Sequence, residues 1–209
     1  MPRLTESPTV VTLGAIGAVF ALQQVVGLIL PQTLVFGMSR PVAQPWTLVT
    51  SVYAHGGPSH LLSNAVALAV LGFLLERETT SLRYHTFFVL TGTIAGLAEV
   101  YAARLLGPVV PWMVGQVNVL GASGAIFAFL GYLLASNRLT ETVVGGVSLS
   151  PRAQLALGGL CAAAITIATA NPGVALIAHF TGLLLGFLAG RAHLLRPGTA
   201  LDGPEPTNP

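Results

Sequence analysis

Charge is scarce in this chain. Only 8% of its 209 residues are charged against 53% hydrophobic, at a mean hydropathy of +0.77. A soluble domain carries roughly 25% charge to keep its surface wet, so the shortage excludes a water-soluble globule and indicates a membrane protein. Lysine is missing altogether. The positive groups are nine arginines that form no basic cluster, which excludes a nucleic-acid surface. The single Cys161, in an Ala-rich apolar run, builds neither a disulfide framework nor a thiolate metal site within one chain. Aspartate is confined to Asp202 near the end, so an acid needed inside the fold has to be Glu99 or be absent.

What the chain has is apolar length. After a polar head, Met1 to Thr9, the run Val10 to Leu30 is long enough, at roughly 20 residues, to cross a bilayer, and Pro31 is expected to end it. It lacks the short core and small-residue cleavage site of a signal peptide and is expected to be retained. Gln32 to Ser59 is broken by Pro41, Pro45, Gly56, Gly57 and Pro58, yet it is rich in Val, Phe and Leu. It reads as a segment at the membrane interface, a depth that suits Trp46 and Tyr53. Further spans are expected at about His60 to Leu75, Tyr84 to Leu106, Ser123 to Ala135, Ala153 to Ala170 and Val174 to Leu195. An aqueous loop is expected over Asn137 to Arg152, and a tight turn at Asn171-Pro172-Gly173.

The expectation is an all-α polytopic membrane protein. Residues 1–9 form a cytoplasmic head, 10–195 a six-helix membrane domain, and 196–209 a polar, disordered tail. Six spans put both ends on one side. Arg3, Arg77, Arg83, Arg138, Arg152, Arg191 and Arg196 fall on that side against Arg40 and Arg104 on the other, so the positive-inside bias makes the termini cytoplasmic.

Against this background the polar residues within spans need explaining. Ser123 sits between small residues in Val119 to Gly131 (VLGASGAIFAFLG), at a helix start, where backbone N–H groups lack partners. One turn there can supply both a nucleophile and donors for an oxyanion. On this stretch alone, Gly121, Gly124 and Gly131 read first as helix packing. His60, Asn64, Ser123 and His179 all fall near the outer starts of spans two, four and six, roughly 5 to 12 Å deep at 1.5 Å per residue. Ionisable residues inside a span tend to face the bundle interior and mark function. Ala175, His179, Gly182, Gly186 and Gly190 share one face of the last span, which lets an imidazole come within the roughly 3 Å of a hydroxyl that proton transfer needs. His60 and Asn64, four apart, share a face and can donate toward an oxyanion.

Blander readings stand beside these. His179 alone fits a hydrogen-bonded core histidine, and Glu99 fits a polar contact between helices or a proton carrier. His55, His60 and His179 suggest zinc, but no acid or thiol accompanies them. Neither a metal nor a cofactor is expected.

Together these residues resemble the rhomboid family of intramembrane serine proteases. Gly121-Ala-Ser-Gly124 resembles its GxSG nucleophile motif. His60-Leu-Leu-Ser-Asn64 resembles its HxxxN element, with His55 where the family often has another histidine. Ala178-His179-Phe-Thr-Gly182 followed by Gly186 resembles its sixth-helix histidine and glycine face, and Gly72-Phe-Leu-Leu-Glu76 its inner-end motif. The resemblance covers all six spans and implies a rhomboid-like bundle with a catalytic Ser123–His179 dyad. It implies an oxyanion site from His60, Asn64, Gly121 and Ser123, with His55, Phe127, Gly182 and Gly186 in support. The implied partners are transmembrane protein substrates and the lipid bilayer, and the implied location is the plasma membrane of a prokaryote. Two positions depart from the family. Thr47 follows Trp46 where the family often has Trp-Arg, and Phe127 replaces a common tyrosine, which keeps a ring to stack but no phenol. The rival reading is a catalytically inactive rhomboid-like binder or transporter of membrane helices. Retention of both Ser123 and His179 speaks against it.

Overall fold

The structure, a computed structural model, describes residues 7–31, 35–110, 118–136, 151–168 and 174–198. Among them are seven α-helices: α1 Pro8–Val26, α2 Thr47–Tyr53, α3 Pro58–Leu75, α4 Ser81–Leu106, α5 Ser123–Ser136, α6 Pro151–Ala168 and α7 Leu176–Arg191. A 3-10 turn, Glu76–Glu78, prolongs α3. Pro8–Val26, Pro58–Glu78 and Ser81–Leu106 are long and apolar enough to cross a membrane, while Ser123–Ser136 and Leu176–Arg191 are shorter apolar helices. Residues 1–6 of the expected head, 137–150 of the expected aqueous loop, the Asn171-Pro172-Gly173 turn and the tail beyond residue 198 lie outside the described residues. Pro8 and Thr9, expected in the head, belong to α1, and Pro151 and Arg152, expected in the loop, open α6.

Local chemistry sets the helix ends, in places that apolar length alone misses. α1 stops at Val26 with Gly27 as its C-cap, rather than at Pro31. A proline ring clashes with the carbonyl four residues back, and four back from Pro31 is Gly27. α4 starts at Ser81, three residues before the expected Tyr84, because the Thr80 hydroxyl accepts the Arg83 N–H (3.4 Å) as an N-cap. α7 ends at Arg191, short of Leu195. His193 takes a left-handed conformation (φ 51°), while Leu194 N–H bonds to the Ala189 carbonyl and His193 N–H to that of Gly190, both at 3.1 Å. This is a Schellman stop built on histidine, one of the few side chains enriched at positive φ.

The interior is mainly apolar, but buried polar groups and an exposed aliphatic stripe set the burial pattern apart from that of a soluble protein. Gln23 is 0% exposed and Glu99 2%, whereas Leu62 (65%), Val66 (57%) and Val70 (59%) line an outer stripe of α3. Water would strip such a stripe into aggregates, and lipid covers it without cost. The protein is an integral membrane protein.

Side-chain ties gather one end of the bundle. The Glu76 carboxylate accepts the Ser7 hydroxyl (2.7 Å) and the Thr9 N–H (3.1 Å), joining the end of α3 to the start of α1. Arg83, at the start of α4, donates to the Leu194 (3.0 Å) and Arg196 (2.6 Å) carbonyls after α7, and Arg196 donates to the Ser136 carbonyl ending α5 (3.1 Å). Cations at helix C-termini satisfy orphan carbonyls and the helix dipole together. Between these ends α4 backs onto α5 through aromatic rings, Tyr84 meeting Phe129 edge-on at 4.8 Å.

The closest approach is between α5 and α7. A Cβ at Gly182, Gly186 or Gly190 would run into the backbone of Gly124, Ala128 or Tyr132, respectively. Both sets advance by four residues, so the two backbones touch turn by turn. Gly186→Ala should therefore destabilise the protein by about 1 to 3 kcal/mol, the usual cost of overpacking, although alanine is the better helix former. Gly14→Ala on α1, where a Cβ meets nothing within 4 Å, is the control and should not destabilise. Thermal unfolding in detergent checks both, and an unshifted Gly186→Ala would show that α7 tolerates standing farther off.

Candidate active site

The site begins at the turn into α5. Gly121 has φ +131°, a region that side chains rarely enter, and a Cβ there would fall 2.8 Å from the His60 ring. Its N–H donates to the Ser51 carbonyl at 2.8 Å. Gly121, expected as an oxyanion donor, thus spends its N–H on holding the turn, and it contributes room for His60. Ile126 N–H closes the first helical bond, to Ala122 (3.0 Å), so the helix itself offers no acceptor to the N–H groups of Ser123, Gly124 and Ala125. Ser123 is the first residue of α5 and is half-buried.

α7 brings His179 against it, with Nε2 3.0 Å from the Ser123 hydroxyl oxygen. The Phe127 ring, one turn along α5 from Ser123, stacks on the imidazole at 4.2 Å between centroids and 19° between planes. The hydrogen bond and the stack fix the ring from two directions. The imidazole is nearly buried, and its Nδ1 has no partner among the described residues. Glu99 does not reach that nitrogen. Its carboxylate accepts the Ala178 N–H at 2.9 Å. For the hydroxyl to donate to Nε2, the ring carries its own hydrogen on Nδ1.

His60, Asn64, Glu99, Ser123, Phe127 and His179 line one cavity of about 890 Å³. His60 Nδ1 accepts the Gly56 N–H (3.3 Å), which leaves Nε2 as the donor of a neutral ring. Asn64 gives one amide hydrogen to the His60 carbonyl (2.9 Å) and keeps a second. His55 meets His60 edge-on at 5.2 Å. Burial first, and then the nearby His60, lower the His55 pKa to about 4, so it stands as a neutral prop. Among the described residues no three His, Cys, Asp or Glu side chains gather as metal ligands would.

Gln23 is the residue that reading the sequence missed. Its side chain clamps His55 at both backbone groups, accepting the N–H at 2.9 Å and donating to the carbonyl at 3.2 Å. A glutamine inside an apolar span was the available signal. In the segment that leads into α2 the Thr47 hydroxyl bonds to the Gln44 carbonyl (2.6 Å) and the Trp46 ring N–H to that of Val35 (3.2 Å). That segment is thus tied to itself with threonine in the arginine's place. The arrangement equips a hydroxyl with an adjacent proton acceptor and with donors on the cavity wall.

The Rhomboid domain family matches residues 42–196. RHOMBOID-like protein 5 of Arabidopsis thaliana is 27% identical over 161 residues, covering 77% of this chain and 48% of the relative. RHOMBOID-like protein 4 of the same plant is 30% identical over 161 residues, covering 73% and 35%. YdcA of Bacillus subtilis, proposed by its name to be a rhomboid protease, is 28% identical over 143 residues, covering 68% and 64%. The chain spans about half the length of the plant relatives or less.

Proposed function

The chain belongs to the rhomboid family, and from that premise we propose that it is an intramembrane serine endopeptidase acting on bonds within or beside transmembrane segments of other proteins. The observation that carries this reading is the 3.0 Å separation of Ser123 Oγ and His179 Nε2 on the wall of a polar cavity. Ser123 attacks the scissile carbonyl while His179 Nε2 takes its proton, and the oxyanion is met by the Ser123 N–H, the His60 Nε2–H and the second Asn64 amide hydrogen. On collapse His179 returns the proton to the leaving amine. Water then repeats the sequence on the acyl-serine, with no cofactor. The rival, an inactive binder of membrane helices, has no use for a hydroxyl and an imidazole in this register.

In this proposal α1, α3, α4, α5, α6 and α7 are the six spans of a membrane domain over 10–195, and α2 lies at the interface. The end where Glu76, Arg83 and Arg196 make their ties faces the cytoplasm, as do the chain before α1 and the tail that follows Arg196. The test is to treat the purified protein with a fluorophosphonate and, separately, with a transmembrane substrate on a gel. Labelling mapped to Ser123 alone, together with cleavage, is expected. A protein that does neither is the inactive rival.

Asn64→Ala should retain the dyad but lose a donor, lowering kcat by about a hundred- to a thousandfold, or about 2.7 to 4 kcal/mol of transition-state stabilisation. Steady-state cleavage at the wild-type rate would remove Asn64 from the site.

A further inference from the structure

The first turn of α7 lacks a cap of its own. Its N-cap residue is Ala175, which supplies no side-chain hydrogen bond, and a helix start leaves several N–H groups unpaired. A different helix satisfies one of them. Glu99, on α4 and 79 residues earlier in the chain, accepts the Ala178 N–H at 2.9 Å. Its side chain is almost fully buried, at 2% exposed, and it lines the same cavity as Ser123 and His179. His179 is the residue after Ala178. With Nδ1 unpartnered among the described residues, no side chain steers the imidazole from behind. Phe127 and Ser123 fix the ring from the α5 side, so how far it stands from α5 depends on where the α7 backbone puts it.

We infer that Glu99 is a positioning residue for the serine–histidine pair: from α4 it holds the opening turn of α7 and so sets the distance from His179 to Ser123. This rests on the proposed hydrolase reading. Orientation that an acid at Nδ1 would supply is here supplied through the main chain one residue upstream. The part of Glu99 that matters is an acceptor oxygen at the reach of its side chain.

The variants that test this are Glu99→Met, of similar length with no acceptor, and Glu99→Gln, with an acceptor at the same reach. Four quantities are measured below the unfolding temperature: the rate constant of fluorophosphonate labelling at Ser123, the labelled fraction, and kcat and KM on a transmembrane substrate. Glu99→Met should slow both labelling and kcat by about ten- to a hundredfold, the penalty of a misplaced catalytic group, with KM little changed. Glu99→Gln should recover most of the rate. A merely structural role would lower the labelled fraction and leave the rate constant of the folded molecules at the wild-type value, and that result overturns the inference. So does a Glu99→Gln variant as slow as Glu99→Met. If Glu99→Met does not fold, Glu99→Asp poses the same question, since its carboxylate falls one methylene short, and a wild-type rate constant there overturns the inference too. Failure of the underlying reading shows itself separately, as a wild type that neither labels nor cleaves.

Discussion

Ser123→Ala is expected to eliminate cleavage and fluorophosphonate labelling, a loss of roughly 10⁶-fold if this serine behaves as nucleophiles of other serine hydrolases do. The fold should survive. Ser123 is half-buried and its hydroxyl partner is His179 Nε2, so the substitution removes one hydrogen bond and leaves almost no void. A net bond of this kind contributes only about 1 kcal/mol to stability. The gly-rich packing of α5 against α7 involves none of the deleted atoms. Activity and thermal unfolding are therefore expected to separate completely in this variant, which a packing role for the serine does not predict. Residual cleavage by a purified Ser123→Ala protein, free of contaminating protease, would eliminate the nucleophile assignment.

His179→Ala should be as severe, because members of a catalytic pair act as a unit and their losses do not add. The double variant Ser123→Ala with His179→Ala is expected to be no worse than either single one. Stability will tell the two positions apart. Truncating His179 uncovers the Phe127 face and opens space beside a nearly buried ring, so some loss of stability accompanies the loss of activity. His179→Gln is the control: it can still hydrogen-bond the serine but cannot take its proton at neutral pH. A Gln variant that cleaves at even a tenth of the wild-type rate would contradict general-base chemistry at this position.

The elements of the candidate site that could be read in the sequence are those with a local period. Gly182, Gly186 and Gly190 recur every four residues with His179 on the same face, and His60 and Asn64 share one face, so helical geometry alone groups each set on one side of its helix. Contacts that join distant segments leave no such trace. Gln23 clamps His55 from 32 residues away and Glu99 meets Ala178 from 79, and neither partner shows a pattern in its own neighbourhood. The helix ends were obscured for a different reason. Pro31 acts through the carbonyl of Gly27 rather than at its own position, and the α7 stop uses His193 where a glycine would have announced it. Gly121 illustrates a third limit. Its place in the motif is visible, but the destination of its N–H, the Ser51 carbonyl, depends on where α2 ends up.

The glycine rows between α5 and α7 act as rails rather than as a lock. Because Gly182, Gly186 and Gly190 and their counterparts Gly124, Ala128 and Tyr132 both repeat every fourth residue, sliding α7 by one turn would again set Gly186 against Gly124 and Gly190 against Ala128. That slide is about 6 Å along the axis, enough to carry His179 out of reach of Ser123 while keeping two of the three close glycine contacts. Something must choose among these near-equivalent seatings, and the fasteners at the two ends of α7 do so. Glu99 stops one end at Ala178, and Arg83 stops the other at Leu194. The rails set how near the two helices run, and the stops decide which rung of the ladder holds the imidazole opposite the hydroxyl.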